Sequence, residues 1–163
     1  MNVLNRLKEY LDHEKVAYEV LTHSETYTAQ ERAQALHVPG KNLAKVVMLK
    51  VGERFVMAVL PANWKVDLKR LKDIFQTPHV KLATEEGFRG LFPDCELGAM
   101  PPFGNLYGLQ VYVDRSLAED EEIVFQAGTY HDAVKLRYRD FAALVHPMVA
   151  EFHVPISWPK TGS

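Results

Sequence analysis

Ala44-Lys45-Val46-Val47-Met48-Leu49-Lys50-Val51-Gly52-Glu53-Arg54-Phe55-Val56-Met57-Ala58-Val59-Leu60 is two β-rich runs joined by two residues, the first of them glycine. Tight hairpins favour turns with positive φ, so a glycine at the start of a two-residue link between β-branched runs predicts an antiparallel pair. Alternation along the first run places Lys45 on one face with Val47 and Leu49. An ammonium in that company either meets an anionic partner or, more commonly, snorkels to water from the strand start.

Working outward toward the N-terminus, Leu4, Leu7 and Leu11 recur at helical spacing within Asn2 to His13, with charges between them. This predicts a surface helix with one apolar stripe. Val16, Tyr18 and Val20 alternate as a half-buried strand that ends at the polar turn carrying His23, and Thr28-x-x-Glu31 reads as a capping box opening a helix to about Leu36. In the other direction, Asp67 suits the N-cap of a helix to Phe75, with Leu68, Leu71 and Phe75 inward. Lys65, Lys69 and Lys72 follow at i, i+4 and i+7, a basic stripe that either tracks a phosphate backbone or is a solvated face diluted by Asp67 and Asp73.

Val80 to Leu82 reads as a short strand, and Thr84-Glu85-Glu86 opens a brief helix. Leu109 to Asp114 and Glu122 to Ala127 are further strands about an acidic turn, with Gly128 stopping the second. Val134, Leu136 and Tyr138 alternate as another strand. Asp140 begins a last helix with Phe141, Leu144 and Val145 inward, and Pro147 and Pro155 then break the pattern. The reading is one domain over residues 1–150 and a loose tail over 151–163.

Between these elements lies Phe92-Pro93-Asp94-Cys95-Glu96-Leu97-Gly98-Ala99-Met100-Pro101-Pro102-Phe103-Gly104, where no regular element can form. Its prolines fix φ while Gly98 and Gly104 permit close approach of a ligand to main chain, although the same residues also build ordinary rigid connections. The 163 residues carry 19 Lys and Arg against 21 Asp and Glu, a formal charge of −2, so the molecule as a whole is no generic polyanion binder. No apolar run is long enough to span a bilayer, and no apolar signal core follows Met1, which points to the cytoplasm. The single cysteine, Cys95, agrees with a reducing compartment and is a poor nucleophile candidate. Zinc-hydrolase, phosphate-loop, nucleophile-elbow and dinucleotide fingerprints are missing from the sequence, and the seven histidines lack metal-ligand spacing. His131-Asp132 is the one local pair that looks like a base with an orienter.

Taken together, Thr28-Ala29-x-Glu31, Ala44-Lys45, Asp94-Cys95-x-x-Gly98-Ala99-x-Pro101-Pro102-Phe103-Gly104, Val113-Asp114 and Phe125-x-Ala127-Gly128 resemble the YbaK/prolyl-tRNA-synthetase-associated editing-domain family, over roughly Leu4 to Val149. The resemblance implies an α+β fold, a single compact domain with a curved, mostly antiparallel or mixed sheet flanked by helices. It also implies a freestanding, metal-independent deacylase that needs no cofactor and hydrolyses the ester of mischarged tRNA, with alanine or cysteine on tRNA for proline as the example. The alternative is a binding module of the same fold without catalysis.

On this likeness Lys45 matches the family's functional lysine, and Gly98 with Pro102 its Gly-x-x-x-Pro loop. Amides near Gly98 and Ala99 would stabilise the oxyanion. Lys45 would hold the terminal phosphate or the reacting group, and a water would attack with help from the substrate's ribose hydroxyl. Met48, Pro101, Pro102, Phe103, Gly104, Gly128, His131 and His23 are the expected substrate-binding residues, and Lys65, Lys69 and Lys72 the expected tRNA contacts. The expected partners are the acceptor end of a mischarged tRNA and, further, a synthetase; neither membrane nor DNA is expected.

Overall fold

The hairpin forms as the spacing predicts. In the computed structural model, which describes residues 3–22 and 39–156, Leu43–Val51 and Arg54–Pro61 pair antiparallel from Ala44 opposite Pro61 to Val51 opposite Arg54. Gly52 turns the chain at φ +59°. In chain order the strands are β1 (Tyr18–Thr22), β2 (Leu43–Val51), β3 (Arg54–Pro61), β4 (Trp64–Val66), β5 (Val80–Leu82), β6 (Gln110–Asp114), β7 (Glu122–Gln126), β8 (Asp132–Arg137), β9 (Met148–Ala150) and β10 (His153–Pro155).

A mixed sheet runs β1-β8-β7-β2-β3-β6-β9, with β5 joined to the far end of β2. Its β2–β7, β3–β6 and β6–β9 neighbours are parallel and the rest antiparallel. Five α-helices flank the sheet among the described residues, giving a compact single α+β domain.

Both sheet faces are covered, which is why β2 and β3 read as near-continuous apolar runs. Ala44 and Met48 of β2 face the larger core with Met57, Val59, Phe125 and Leu136, beneath the N-terminal helix Val3–His13 and the loop that ends at Phe103. That helix buries Val3, Leu7 and Leu11 at four-residue spacing, each full leucine burial being worth about 1.5–3 kcal/mol. Leu49 and Val51 face the other way, joining Val56, Ala58, Leu60 and Leu71 around Phe152. The helix Leu68–Phe75 starts where expected, because the Asp67 carboxylate accepts from the Arg70 amide at 3.2 Å.

Several expectations are corrected. Lys65 lies on β4 and only Lys69 and Lys72 on the helix, so the three do not form one helical stripe. Tyr138 opens the last helix, Tyr138–Val145, and Asp140 sits in its first turn. Residues 151–155, read as tail, are packed into the domain. β10 pairs with β4, Phe152 is fully buried, and the buried Asp114 carboxylate accepts from the Phe152 amide at 2.7 Å and lies 2.8 Å from His153 Nδ1. Two prolines break helices but do not stop a chain from docking as short strands, and that pattern is what misleads. The capping box Thr28–Glu31 and His23 fall outside the described residues.

Candidate active site

The site grows from a fork in the sheet. β2 and β7 pair in parallel only at Leu43–Val124 and Ala44–Phe125. One residue beyond the last pair, the same register carries Lys45 and Gln126 onto one face at the point where the strands part.

The Gly98 loop closes this fork, and the turn between β7 and β8 pins it there. Gly128 donates its amide to the Ala99 carbonyl at 2.7 Å, and Glu96 donates to the Gly128 carbonyl at 2.7 Å. The Tyr130 amide donates to the Glu96 carboxylate at 3.0 Å, while its hydroxyl donates to the Leu97 carbonyl. Gly98 takes φ +88° and Gly128 φ +96°, conformations that side chains rarely adopt.

Leu43, Ala44, Lys45, Val46, Gly98, Met100 and Gln126 line the resulting crevice, whose volume of about 10 Å³ barely admits one water. Lys45 is half-buried, and its Nζ lies 3.4 Å from the Ala62 carbonyl. Gly98 is exposed, and its amide donates to the Met100 sulfur at 3.2 Å. A thioether is a weak acceptor, so a carbonyl oxygen or oxyanion would displace it readily.

Other expected site residues sit elsewhere. The Ala99 amide is already bonded to the Glu96 carbonyl at 3.0 Å within a buried residue, which removes it as an oxyanion donor. Met48 is a core residue on the face with Met57, two strand positions beyond Val46 and away from the crevice. Phe103 packs in the core against Phe125 at 5.5 Å and Phe141 at 5.4 Å, while Pro101 and Pro102 are buried and stiffen the loop.

Gly104 is required by packing, since a Cβ there would stand 2.5 Å from Val111 Cγ2. Gly128 acts through backbone. His131 is exposed in the turn, its amide bonded to Thr129 Oγ1 at 3.2 Å, and it does not line the crevice.

Cys95 is held between Asp94 and the Tyr107 hydroxyl, and burial pushes its thiol up to about 12. At neutral pH it is a protonated thiol rather than a nucleophile.

Residue-by-residue reading passed over Gln126 and Met100. Gln126 is only 5% exposed at the end of an apolar strand run, and that buried polar position is a readable signal. With its NH₂ turned toward Thr129 O at 2.9 Å and Asp132 O at 3.1 Å, it ties the turn to the fork. Met100 gave no signal, because a methionine beside prolines looks like filler.

The fold is thus a mixed-sheet domain in which a lysine and a glycine-proline loop meet at a strand fork. The chain belongs to the aminoacyl-tRNA editing domain family, whose model matches residues 23–144. It is 28% identical over 152 residues to the multifunctional Ser/Thr-tRNA deacylase ProXp-y of Escherichia coli K12, covering 90% of each chain. It is also 28% identical over 116 residues to the proline–tRNA ligase of Macrococcus caseolyticus, covering 70% of this chain. The chain spans about a fifth of the length of such ligases. A solved structure described as a candidate trans-editing enzyme for prolyl tRNA synthetase superposes with TM-score 0.80 at 22% identity, over 94% of this chain and 98% of the other, which shows a shared fold. No helix among the described residues is long and apolar enough to cross a membrane.

Proposed function

We propose that the protein is a deacylase acting in trans on mischarged tRNA, hydrolysing the ester between a small amino acid and the terminal ribose. One observation carries this reading: Lys45 and Gly98, whose amide is held only by the weak Met100 thioether, line the same crevice. Family membership and the likeness to a Ser/Thr-tRNA deacylase over nearly the whole chain support it.

Water adds to the ester carbonyl carbon, helped by the substrate's ribose hydroxyl, and the Gly98 amide takes the developing oxyanion in place of the Met100 sulfur. Collapse breaks the acyl C–O bond, the ribose oxygen leaves as a hydroxyl with a proton that originates from the water, and free amino acid departs. Lys45 holds the terminal phosphate or the reacting group in register. The scheme routes no step through a metal, so turnover should persist in EDTA. The partial match to proline–tRNA ligases makes tRNA for proline the first substrate to try and such a ligase the candidate partner.

The test is release of amino acid from a panel of tRNAs carrying alanine, cysteine, serine or threonine. Lys45→Ala should lower kcat/KM by roughly 10²–10³-fold while the melting temperature moves little. A panel with no release above buffer sinks the deacylase and favours a binding module.

A further inference from the structure

The geometry points to Met100 as the residue that sets the size of the amino acid admitted, its thioether occupying the Gly98 amide where the acyl carbonyl oxygen must bind. This rests on the deacylase reading and adds to it the determinant of substrate choice.

Among the crevice's lining residues, Leu43, Ala44, Lys45 and Val46 belong to β2, whose backbone is fixed by its pairing with β3. Gln126 ends β7 with its amide engaged by the turn, and Gly98 is fixed by its left-handed backbone. Met100 comes from the loop instead. It is buried at 4% exposure, and its sulfur accepts the Gly98 amide at 3.2 Å.

Space for an acyl group cannot come from shifting strands. It comes from a side chain with three rotatable bonds withdrawing from an acceptor position that it holds only weakly. The withdrawn thioether then forms the wall against which the amino-acid side chain is measured. A small side chain fits beside it, and each further methylene meets it, at a discrimination of 10–200-fold.

The experiment measures binding of adenosines that carry alanine, serine, valine or leucine in non-hydrolysable amide linkage at the 3′ position. Wild type is compared with Met100→Ala, which removes bulk and sulfur, and Met100→Leu, which keeps bulk and removes only sulfur; thermal melts confirm folding. We expect wild type and Met100→Leu to favour the alanyl over the leucyl compound by at least about tenfold, and Met100→Ala to narrow that ratio to within about threefold. The Gly98 amide resonance of wild type should move on adding the alanyl compound.

An unchanged ratio in Met100→Ala, a wild type indifferent to side-chain size, no binding by any compound, or a stationary Gly98 resonance would each overturn the proposal. Size-ranked binding without hydrolysis of any mischarged tRNA would defeat the deacylase reading alone. Hydrolysis with an unchanged ratio in Met100→Ala would defeat the Met100 assignment alone.

Discussion

Gly128 donates its N–H to the Ala99 carbonyl across 2.7 Å, joining the turn after β7 to the loop that carries Gly98. The bond exists because Gly128 adopts φ +96° directly against the N-terminal helix, where a Cβ would lie 1.8 Å from Val3 Cγ1. Gly128→Ala therefore combines backbone strain with a core collision, an expected cost of about 2–4 kcal/mol and a melting point lower by roughly 5–15 °C. An unchanged melting curve would show that the turn is free to move.

Asp114 is the fully buried carboxylate that closes the C-terminal strand onto the domain. Besides Phe152 and His153 it accepts from the Ser116 amide at 3.0 Å and from the Ser116 hydroxyl. Replacing it with alanine leaves the buried Phe152 amide without its acceptor. The expected loss is about 2–4 kcal/mol in denaturant unfolding. Removing residues 151–163 should cost at least as much, because Phe152 packs with Leu60 and Leu71. A truncated chain as stable as the full one would mean that the strand docks without contributing.

The Cys95 thiol is raised to about 12, chiefly by burial, with the Asp94 charge adding and the Tyr107 hydrogen bond opposing. Near pH 8 its reaction with a thiol reagent should be slower than that of free cysteine by on the order of 10³-fold. The sign for stability follows from the same shift. Above the ordinary thiol range the unfolded chain releases a proton that the folded chain keeps, so stability falls as pH climbs from the unfolded value toward 12. Cys95→Ser should lack that alkaline loss and should retain deacylation. Rapid labelling at pH 8 would contradict the burial.

Lys69 and Lys72 are exposed on the helix Leu68–Phe75, and Lys65 is exposed on β4 nearby in sequence. If the helix lies along the RNA backbone, reversing both helical charges weakens tRNA binding and flattens the slope of log affinity against log salt by about 1.4–1.8. Reversing Lys65 alone then reports whether the strand shares that footprint. Affinity and slope unchanged in the double variant would make the helix a solvated face.

The hairpin, the Asp67 and Thr84 caps and the apolar stripe of the first helix were legible because each depends on side chains within a few residues of one another. Lys45, Gly98 and the Gly-x-x-x-Pro loop were singled out through family resemblance, and the fold brings Lys45 and Gly98 to one crevice. Phe103 and Met48 were misplaced because an apolar residue beside a site looks the same in sequence whether it walls the site or fills the core behind it. Ala99 was misjudged because the fate of an amide depends on which carbonyl the folded loop brings to it, here that of Glu96.

By itself the sequence determined the β2–β3 hairpin, the apolar stripe of the first helix and the helix starts at Asp67 and Thr84, since period, caps and turn residues act locally. Tertiary structure alone decided that β2 and β7 part beside Lys45, that the turn at Gly128 holds the loop in that gap, and that Met100 covers the Gly98 amide. Those relations join residues dozens of positions apart. Strand order and loop closure create them, and no local periodicity encodes either.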